Sequence, residues 1–204
     1  MSEIYALSDD VLTPPQTIFS QIDEILRCGV KLVQYRSKLA VRDEALIHSL
    51  IGLCEDYGAK LIINDDAALA KKLGAHGVHI GEGDGETAQV REFLGADKII
   101  GVSCYADLAR AQKVEAQGAS YVAFGSLRRG KTKPDAPLCP DALVQEARKS
   151  LNLPIAVIGG ISLENLNEIL ALKPDYIAMV EAIYKPASIT QNLANLKEKM
   201  DEYI

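Results

Sequence analysis

Two carboxylates, Asp65 and Asp84, are the side chains in this sequence best suited to share a hard cation. Mg²⁺ takes oxygen ligands and commonly uses one or two carboxylates, with substrate phosphates and water completing its shell. Asn64, beside the first of them, carries an amide that can orient a polar group of a ligand. Helix capping is an equally good reading of Asp65 or Asp66, because the helical stretch Ala67-Ala68-Leu69-Ala70 begins next.

Positive charge gathers in two other places. Gln34-Tyr35-Arg36-Ser37-Lys38 supplies a guanidinium and an ammonium, and Gly125 to Lys133 holds Arg128, Arg129, Lys131 and Lys133 with Gly130 and Thr132. Arginine offers bidentate hydrogen bonds and lysine a point charge, and both suit a diphosphate. A glycine-containing loop can also wrap backbone N–H groups around an anion. Gly159-Gly160, before a helix expected to start near Ser162, reads either as a second anion site or as a tight turn that needs positive φ. One magnesium site and two anion sites suggest a transferase that joins a diphosphate substrate to a phosphorylated one.

The elements that must position these groups are short apolar runs: Ile4–Leu7, Lys31–Tyr35, Lys60–Ile63, Gly77–Ile80, Ile99–Val102, Tyr121–Phe124, Pro154–Ile158 and Tyr176–Val180. They are too short for helices, and several are continuously apolar, as parallel strands buried on both faces are. Helical stripes alternate with them. Ile18, Ile22, Ile25 and Leu26 form one, Leu46, Leu50, Leu53 and Cys54 a second, and Leu108, Ala111 and Val114 a third. Eight strand–helix units in 204 residues predict a compact, single-domain (β/α)8 TIM barrel spanning the whole chain. A doubly wound sheet would show GxGxxG after the first strand, where Ser8-Asp9-Asp10 stands instead. In a barrel the chemistry sits at the C-terminal strand ends, and all the residues above fall there.

Composition narrows the class of partner. The chain is 25% charged and 48% apolar, so it is no disordered tail and no disulfide miniprotein. With 28 acidic against 22 basic side chains, the net charge of −6 argues against a general nucleic-acid partner. Cys28, Cys54, Cys104 and Cys139 form no CxxC and no Cys/His cluster, so zinc is not expected. No apolar stretch approaches the ~18 residues of a membrane span, and the N-terminus lacks a signal-peptide pattern. A cytoplasmic protein with reduced thiols and small-molecule substrates is expected; a homo-oligomer is compatible with the sequence.

The order and spacing of VQYRSK (Val33–Lys38), INDD (Ile63–Asp66), GVHIGEGD (Gly77–Asp84), GVS (Gly101–Ser103), TKPDA (Thr132–Ala136) and IGGI (Ile158–Ile161) resemble the thiamine-phosphate synthase family over almost the whole chain. That family joins hydroxymethylpyrimidine diphosphate to thiazole phosphate, releasing pyrophosphate. The resemblance implies that Gln34, Arg36, Lys38, Asn64, Ser103 and Lys133 hold the pyrimidine diphosphate, with Tyr35 and Ser37 of the same strand end in the binding set. Asp65 and Asp84 would bind Mg²⁺, and Gly130, Lys131, Thr132, Gly160, Val180 and Glu181 would meet the thiazole substrate.

The resemblance also implies a dissociative mechanism. The C–O bond to pyrophosphate breaks first, and the thiazole nitrogen captures the resulting pyrimidine-stabilised carbocation. Arg36, Lys38, Ser103 and Lys133 form the catalytic set on this reading, and no nucleophilic side chain is required. Cys104 is therefore expected to be inert. His79 matches the family's fourth-strand pattern, but a packed histidine lining the barrel mouth explains it at least as well.

The chain departs from the family's pattern in three places. Gly130 stands where Thr or Ser is usual, Arg128 and Arg129 replace more apolar residues, and Glu181 stands where many members carry Ser. The sister family of thiazole tautomerases is the nearest rival, beside a non-catalytic ligand-binding relative. Tautomerases generally have a histidine where this chain has Tyr105, and they tend to lose the two aspartates kept here.

Overall fold

The computed structural model describes residues 2–130 and 137–203. Eight strands alternate with helices along the chain. The first half runs β1 (Glu3–Leu7), α1 (Ile18–Arg27), β2 (Leu32–Tyr35), α2 (Glu44–Asp56), β3 (Lys60–Asn64), α3 (Ala67–Leu73), β4 (Gly77–Ile80) and α4 (Thr87–Leu94). The second runs β5 (Ile99–Tyr105), α5 (Leu108–Ala116), β6 (Tyr121–Phe124), α6 (Asp141–Ser150), β7 (Ile155–Ile158), α7 (Leu166–Ala171) and β8 (Tyr176–Met179). A short α8 (Glu181–Tyr184) and a longer α9 (Ile189–Glu202) follow. The strands pair in chain order, all parallel, and β8 closes on β1 through Glu3–Tyr176 to Ala6–Met179. The result is the expected (β/α)8 TIM barrel.

Strand residues alternate between two apolar layers. Ala6, Val33, Ile63, Val78, Val102, Val122, Val157 and Ile177 face the helices. Tyr5, Leu7, Leu32, Ile62, Tyr121, Ala123, Ala156 and Ala178 fill the barrel interior. Parallel strands buried on both faces need this double apolar character, and period-two alternation sorts the side chains. Glycine makes room in the interior: a Cβ on Gly101 would lie 2.0 Å from Cζ of Tyr121. The β5 glycine is thus the seat of a β6 ring.

The helices follow the apolar stripes. Ile18, Ile22, Ile25 and Leu26 of α1 are all buried, each worth roughly 1.5–3 kcal/mol relative to exposure. In α2 the buried face is Ile47, Leu50, Ile51 and Cys54, one step round from the expected stripe, with Leu46 and Leu53 only partly buried at its edge. The sequence run is apolar on both sides of the true stripe, so periodicity alone does not fix its centre. Asp43, Asp66, Asp107 and Ser188 cap α2, α3, α5 and α9, each accepting from a backbone N–H three residues on. Among the described residues, no helix is long and apolar enough to cross a membrane.

Candidate functional site

Closure of the parallel barrel brings the C-terminal ends of β2, β3, β4 and β5 side by side at one mouth. The β2 end is held by the loop after β1. The Arg36 backbone N–H donates to Oγ of buried Ser8 at 2.7 Å, and that hydroxyl donates to the Arg36 carbonyl at 3.1 Å. The Lys38 backbone N–H donates to Oδ2 of Asp10 at 2.7 Å. These two latches fix the backbone that carries both cations. Their signal in the sequence is polar Ser8-Asp9-Asp10 directly after an apolar strand, a signal of loop chemistry that the motif reading passed over.

The Asp65-Asp66 pair divides its duties. Asp66 is the cap: its Oδ1 accepts from the Leu69 N–H at 2.8 Å, and its Oδ2 meets Arg42 at 2.9 Å. Asp65 has left-handed backbone geometry, φ 64°, and its N–H donates to the His79 carbonyl at 2.8 Å. Its carboxylate is therefore turned away from capping and binds the Lys38 ammonium, Nζ to Oδ2, at 2.6 Å. Asp84, from the loop after the neighbouring β4, accepts from the Gly81 N–H at 2.6 Å through Oδ2. Among the described residues there is no cluster of three or more His, Cys, Asp or Glu placed to hold a metal.

Gln34 and Ser103 both face the interior and end a line of polar side chains. Gln34 is buried and donates to Oη of Tyr5 at 2.8 Å, while Ser103 Oγ lies 2.9 Å from Nε2 of His79. Between them stand Tyr5, Tyr121 and the Nδ1 of His79. Burial pushes the His79 pKa down to about 4, with the nearby Asp65 charge opposing, so the ring is neutral near pH 7. It also stacks on Tyr121 with centroids 5.6 Å apart. The packed-histidine reading describes His79 correctly, yet its two ring nitrogens join Tyr121 to Ser103.

Tyr35 takes no place in the interior. Its side chain packs in the strand–helix layer, as the parity of β2 requires once Gln34 points inward. Ser37 accepts from the Leu39 N–H and shapes the loop. Asn64 ends β3 opposite His79 in the register. Cys104 is buried with its thiol pushed up to about 12 by desolvation, so it is protonated and unreactive.

On the far side of the mouth, the segment from Gly125 to Gly130 lies against the β7 turn. The Leu127 and Arg128 N–H groups donate to the Ile158 and Gly159 carbonyls at 2.9 and 3.0 Å. Gly160 has φ 60°, and a Cβ there would sit 2.6 Å from the Arg128 carbonyl oxygen. Gly130 lies against Gly160, whose N would be 3.5 Å from an added Cβ. The tight-turn reading of Gly159-Gly160 holds, and the helix expected near Ser162 begins only at Leu166. Asn165 explains the delay, accepting from the Ser162 N–H and donating to the Gly160 carbonyl. Arg128 is not turned to an anion, for it grips Asp141 at 2.7 and 2.9 Å and Glu168 at 3.1 Å. Val180 precedes and Glu181 opens the four-residue α8. Lys131, Thr132 and Lys133 lie outside the described residues.

The family model described as thiamine monophosphate synthase matches residues 4–183, which takes in all eight strands but for the first residue of β1. The chain belongs to the thiamine monophosphate synthase family. A thiamine-phosphate synthase of Nitrosococcus oceani is 44% identical over 188 residues, covering 91% of this chain and 87% of that one. The structure of thiamine phosphate pyrophosphorylase from Pyrococcus furiosus superposes with a TM-score of 0.88 at 27% identity, covering 99% of this chain and 96% of that one. A 3-hexulose-6-phosphate synthase from Salmonella typhimurium shares the barrel, with a TM-score of 0.78, but only 19% identity over 99% of this chain and 100% of that one. The barrel alone therefore does not separate this family from other chemistries.

Proposed function

We propose that the chain is a thiamine-phosphate synthase, a transferase that condenses hydroxymethylpyrimidine diphosphate with thiazole phosphate and releases pyrophosphate. The observation that carries the reading is the family match across all eight strands, joined to a mouth that gathers Gln34, Arg36, Lys38, Asn64, Asp65 and Ser103. The chain would act as one catalytic domain in the cytoplasm on small-molecule substrates, which its free cysteines suit.

The carboxylates fit a magnesium ion. Asp65 is released from capping by Asp66 and already holds a cation, the Lys38 ammonium, and Asp84 comes from the adjacent strand end. These two would hold Mg²⁺, which when bound supplies positive charge at the diphosphate oxygens. Arg36 and Lys38, on a backbone latched by Ser8 and Asp10, bind the diphosphate and stabilise the charge that grows on pyrophosphate as the C–O bond breaks. Lys133, in the stretch of sequence between β6 and α6, would add a third cation. Ser103 and Gln34 position the pyrimidine, and the thiazole nitrogen then captures the carbocation. Gly130 and Gly160, with Lys131, Thr132, Val180 and Glu181, bring the thiazole phosphate to that point.

The test is incubation of the purified protein with both substrates and Mg²⁺, omitting each in turn, with products read by mass spectrometry. Thiamine phosphate forming only when both substrates are present supports the reading. Isomerisation of the thiazole with no coupling would replace it with the tautomerase, and binding without turnover would reduce the protein to a ligand binder.

A further inference from the structure

Five polar side chains cross the barrel interior in single file. Gln34 Nε2 lies 2.8 Å from Tyr5 Oη, Tyr5 Oη 2.8 Å from Tyr121 Oη, and Tyr121 Oη 2.8 Å from His79 Nδ1. His79 Nε2 completes the line at 2.9 Å from Ser103 Oγ. Four of the five are buried, and Ser103 alone is partly open, at the mouth. Around them the interior is apolar, with Leu32, Ile62, Ala123 and Ala178 among its lining. Buried polar groups in such surroundings satisfy one another or cost dearly.

With the Gln34 amide nitrogen turned toward Tyr5, proton counting sets the direction of this line. An amide nitrogen can only donate, so Tyr5 Oη accepts from Gln34 and spends its single proton on Tyr121. Tyr121 accepts from Tyr5 and spends its own proton on His79 Nδ1. That nitrogen must then be bare, the neutral ring carries its hydrogen on Nε2, and Nε2 donates to Ser103. Ser103 accepts from within, and its own hydrogen is left to face the mouth.

We propose that Gln34, Tyr5, Tyr121 and His79 form a one-way hydrogen-bond relay that fixes the Ser103 hydroxyl as a donor to an acceptor atom of the ligand. Tyr5, Tyr121 and His79 are its positioning residues. With the ligand taken as the pyrimidine diphosphate, the inference rests on the proposed function, and the acceptor is a ring nitrogen or a diphosphate oxygen. The relay also ties the two interior pyrimidine contacts, Gln34 and Ser103, into one unit. Turning the Gln34 amide over would reverse every donor in the line and leave Ser103 with only lone pairs to offer, so the whole relay has one sense or the other.

Histidine-selective ¹⁵N NMR on the ligand-free protein reads that sense without reference to activity. The relay requires His79 with a protonated Nε2 and a bare Nδ1; the opposite tautomer overturns it. Steady-state kinetics then test the positioning role. Tyr121→Phe and Ser103→Ala should each raise KM for the pyrimidine diphosphate about five- to tenfold and leave KM for thiazole phosphate unchanged, and the double variant should be no worse than Ser103→Ala. Full additivity, or equal effects on both substrates, rejects the role. A pyrimidine analogue with C–H in place of a ring nitrogen becomes insensitive to Tyr121→Phe when that nitrogen is the acceptor; retained sensitivity assigns a diphosphate oxygen. If Tyr121→Phe does not fold, Tyr5→Phe carries the same comparison with a smaller effect. Absence of thiamine phosphate with wild-type protein defeats the functional reading and leaves the NMR result to judge the relay.

Discussion

Lys38 Nζ stands 2.6 Å from Asp65 Oδ2 and ties the end of β2 to the end of β3. The two side chains are 60% and 35% exposed, and such pairs contribute at most about 1 kcal/mol. The pair is therefore cheap to open. On the proposed mechanism a diphosphate takes the ammonium and a divalent cation takes the carboxylate, so one weak contact holds both groups ready for stronger partners.

Replacing Lys38 separates those roles. Lys38→Met removes the ammonium that competes for Asp65, so Mg²⁺ should bind the substrate-free protein up to about fivefold more tightly, the equivalent of ~1 kcal/mol. Turnover should nonetheless fall by about tenfold or more, since charge on the leaving group loses a partner. Isothermal titration with Mg²⁺, beside the assay, checks both. Weaker metal binding would show that the lysine does not compete for that carboxylate.

Asp66→Ala should cost stability and spare chemistry. It removes the cap bond to Leu69 and the contact with Arg42, together about 1–2 kcal/mol. Urea denaturation should report that loss while turnover stays within about twofold of wild type, a spread of ~0.4 kcal/mol. A collapse of turnover in the folded variant would move the functional carboxylate from Asp65 to Asp66.

His79 makes stability depend on pH in a defined direction. Its native pKa, about 4, lies below its ordinary 6.5, so between those values the unfolded chain binds the extra proton. Stability is full above the unfolded value and falls as the pH drops toward the native one. The complete loss is about 3 kcal/mol, most of it spent by about pH 4.5. Denaturant unfolding of wild type and His79→Gln should therefore show the wild-type advantage shrinking by roughly 2–3 kcal/mol between about pH 7.5 and about pH 4.5. An advantage that does not change with pH contradicts a buried neutral ring.

Gly101→Ala drives a methyl into the Tyr121 ring, whose Cζ would lie 2.0 Å away. A rigid ring between strands cannot yield that distance by a rotamer change. The expected cost is about 3 kcal/mol, at the upper end of overpacking penalties, with Tm falling accordingly. Stability within about 0.5 kcal/mol of wild type would mean that the ring relocates freely, and would remove the support for the interior line of tyrosines.

Strand positions were legible because apolar runs of four or five residues are hard to read any other way, and seven of the eight match to within a residue at either end. β5 is the exception, continuing to Tyr105 past the expected Val102. A register shift between Ser103 and Tyr105 lets it continue, and polar Ser103 hid that extension. Strand-end motifs were legible because barrel chemistry concentrates there. Tyr5 and Tyr121 were not, since a tyrosine within an apolar strand reads as core until its hydroxyl's partners are known. The commitment of Arg128 to Asp141 and Glu168 depends on contacts across 13 and 40 residues of chain, which local spacing does not encode. The side of β2 that Tyr35 takes was legible too, since strand parity sends its ring to the helix layer once Gln34 points inward.

Thiamine phosphate formed per minute by wild type, Asp65→Ala and Asp84→Ala, measured by mass spectrometry with both substrates and saturating Mg²⁺, tests the central claim most directly. The account predicts product from wild type and a loss of about a thousandfold or more in each variant, ~4 kcal/mol of transition-state stabilisation. Circular dichroism should show both variants still folded. Wild-type product matched by both folded variants would contradict the assignment of these carboxylates, and no product from any of the three would contradict the proposed activity itself.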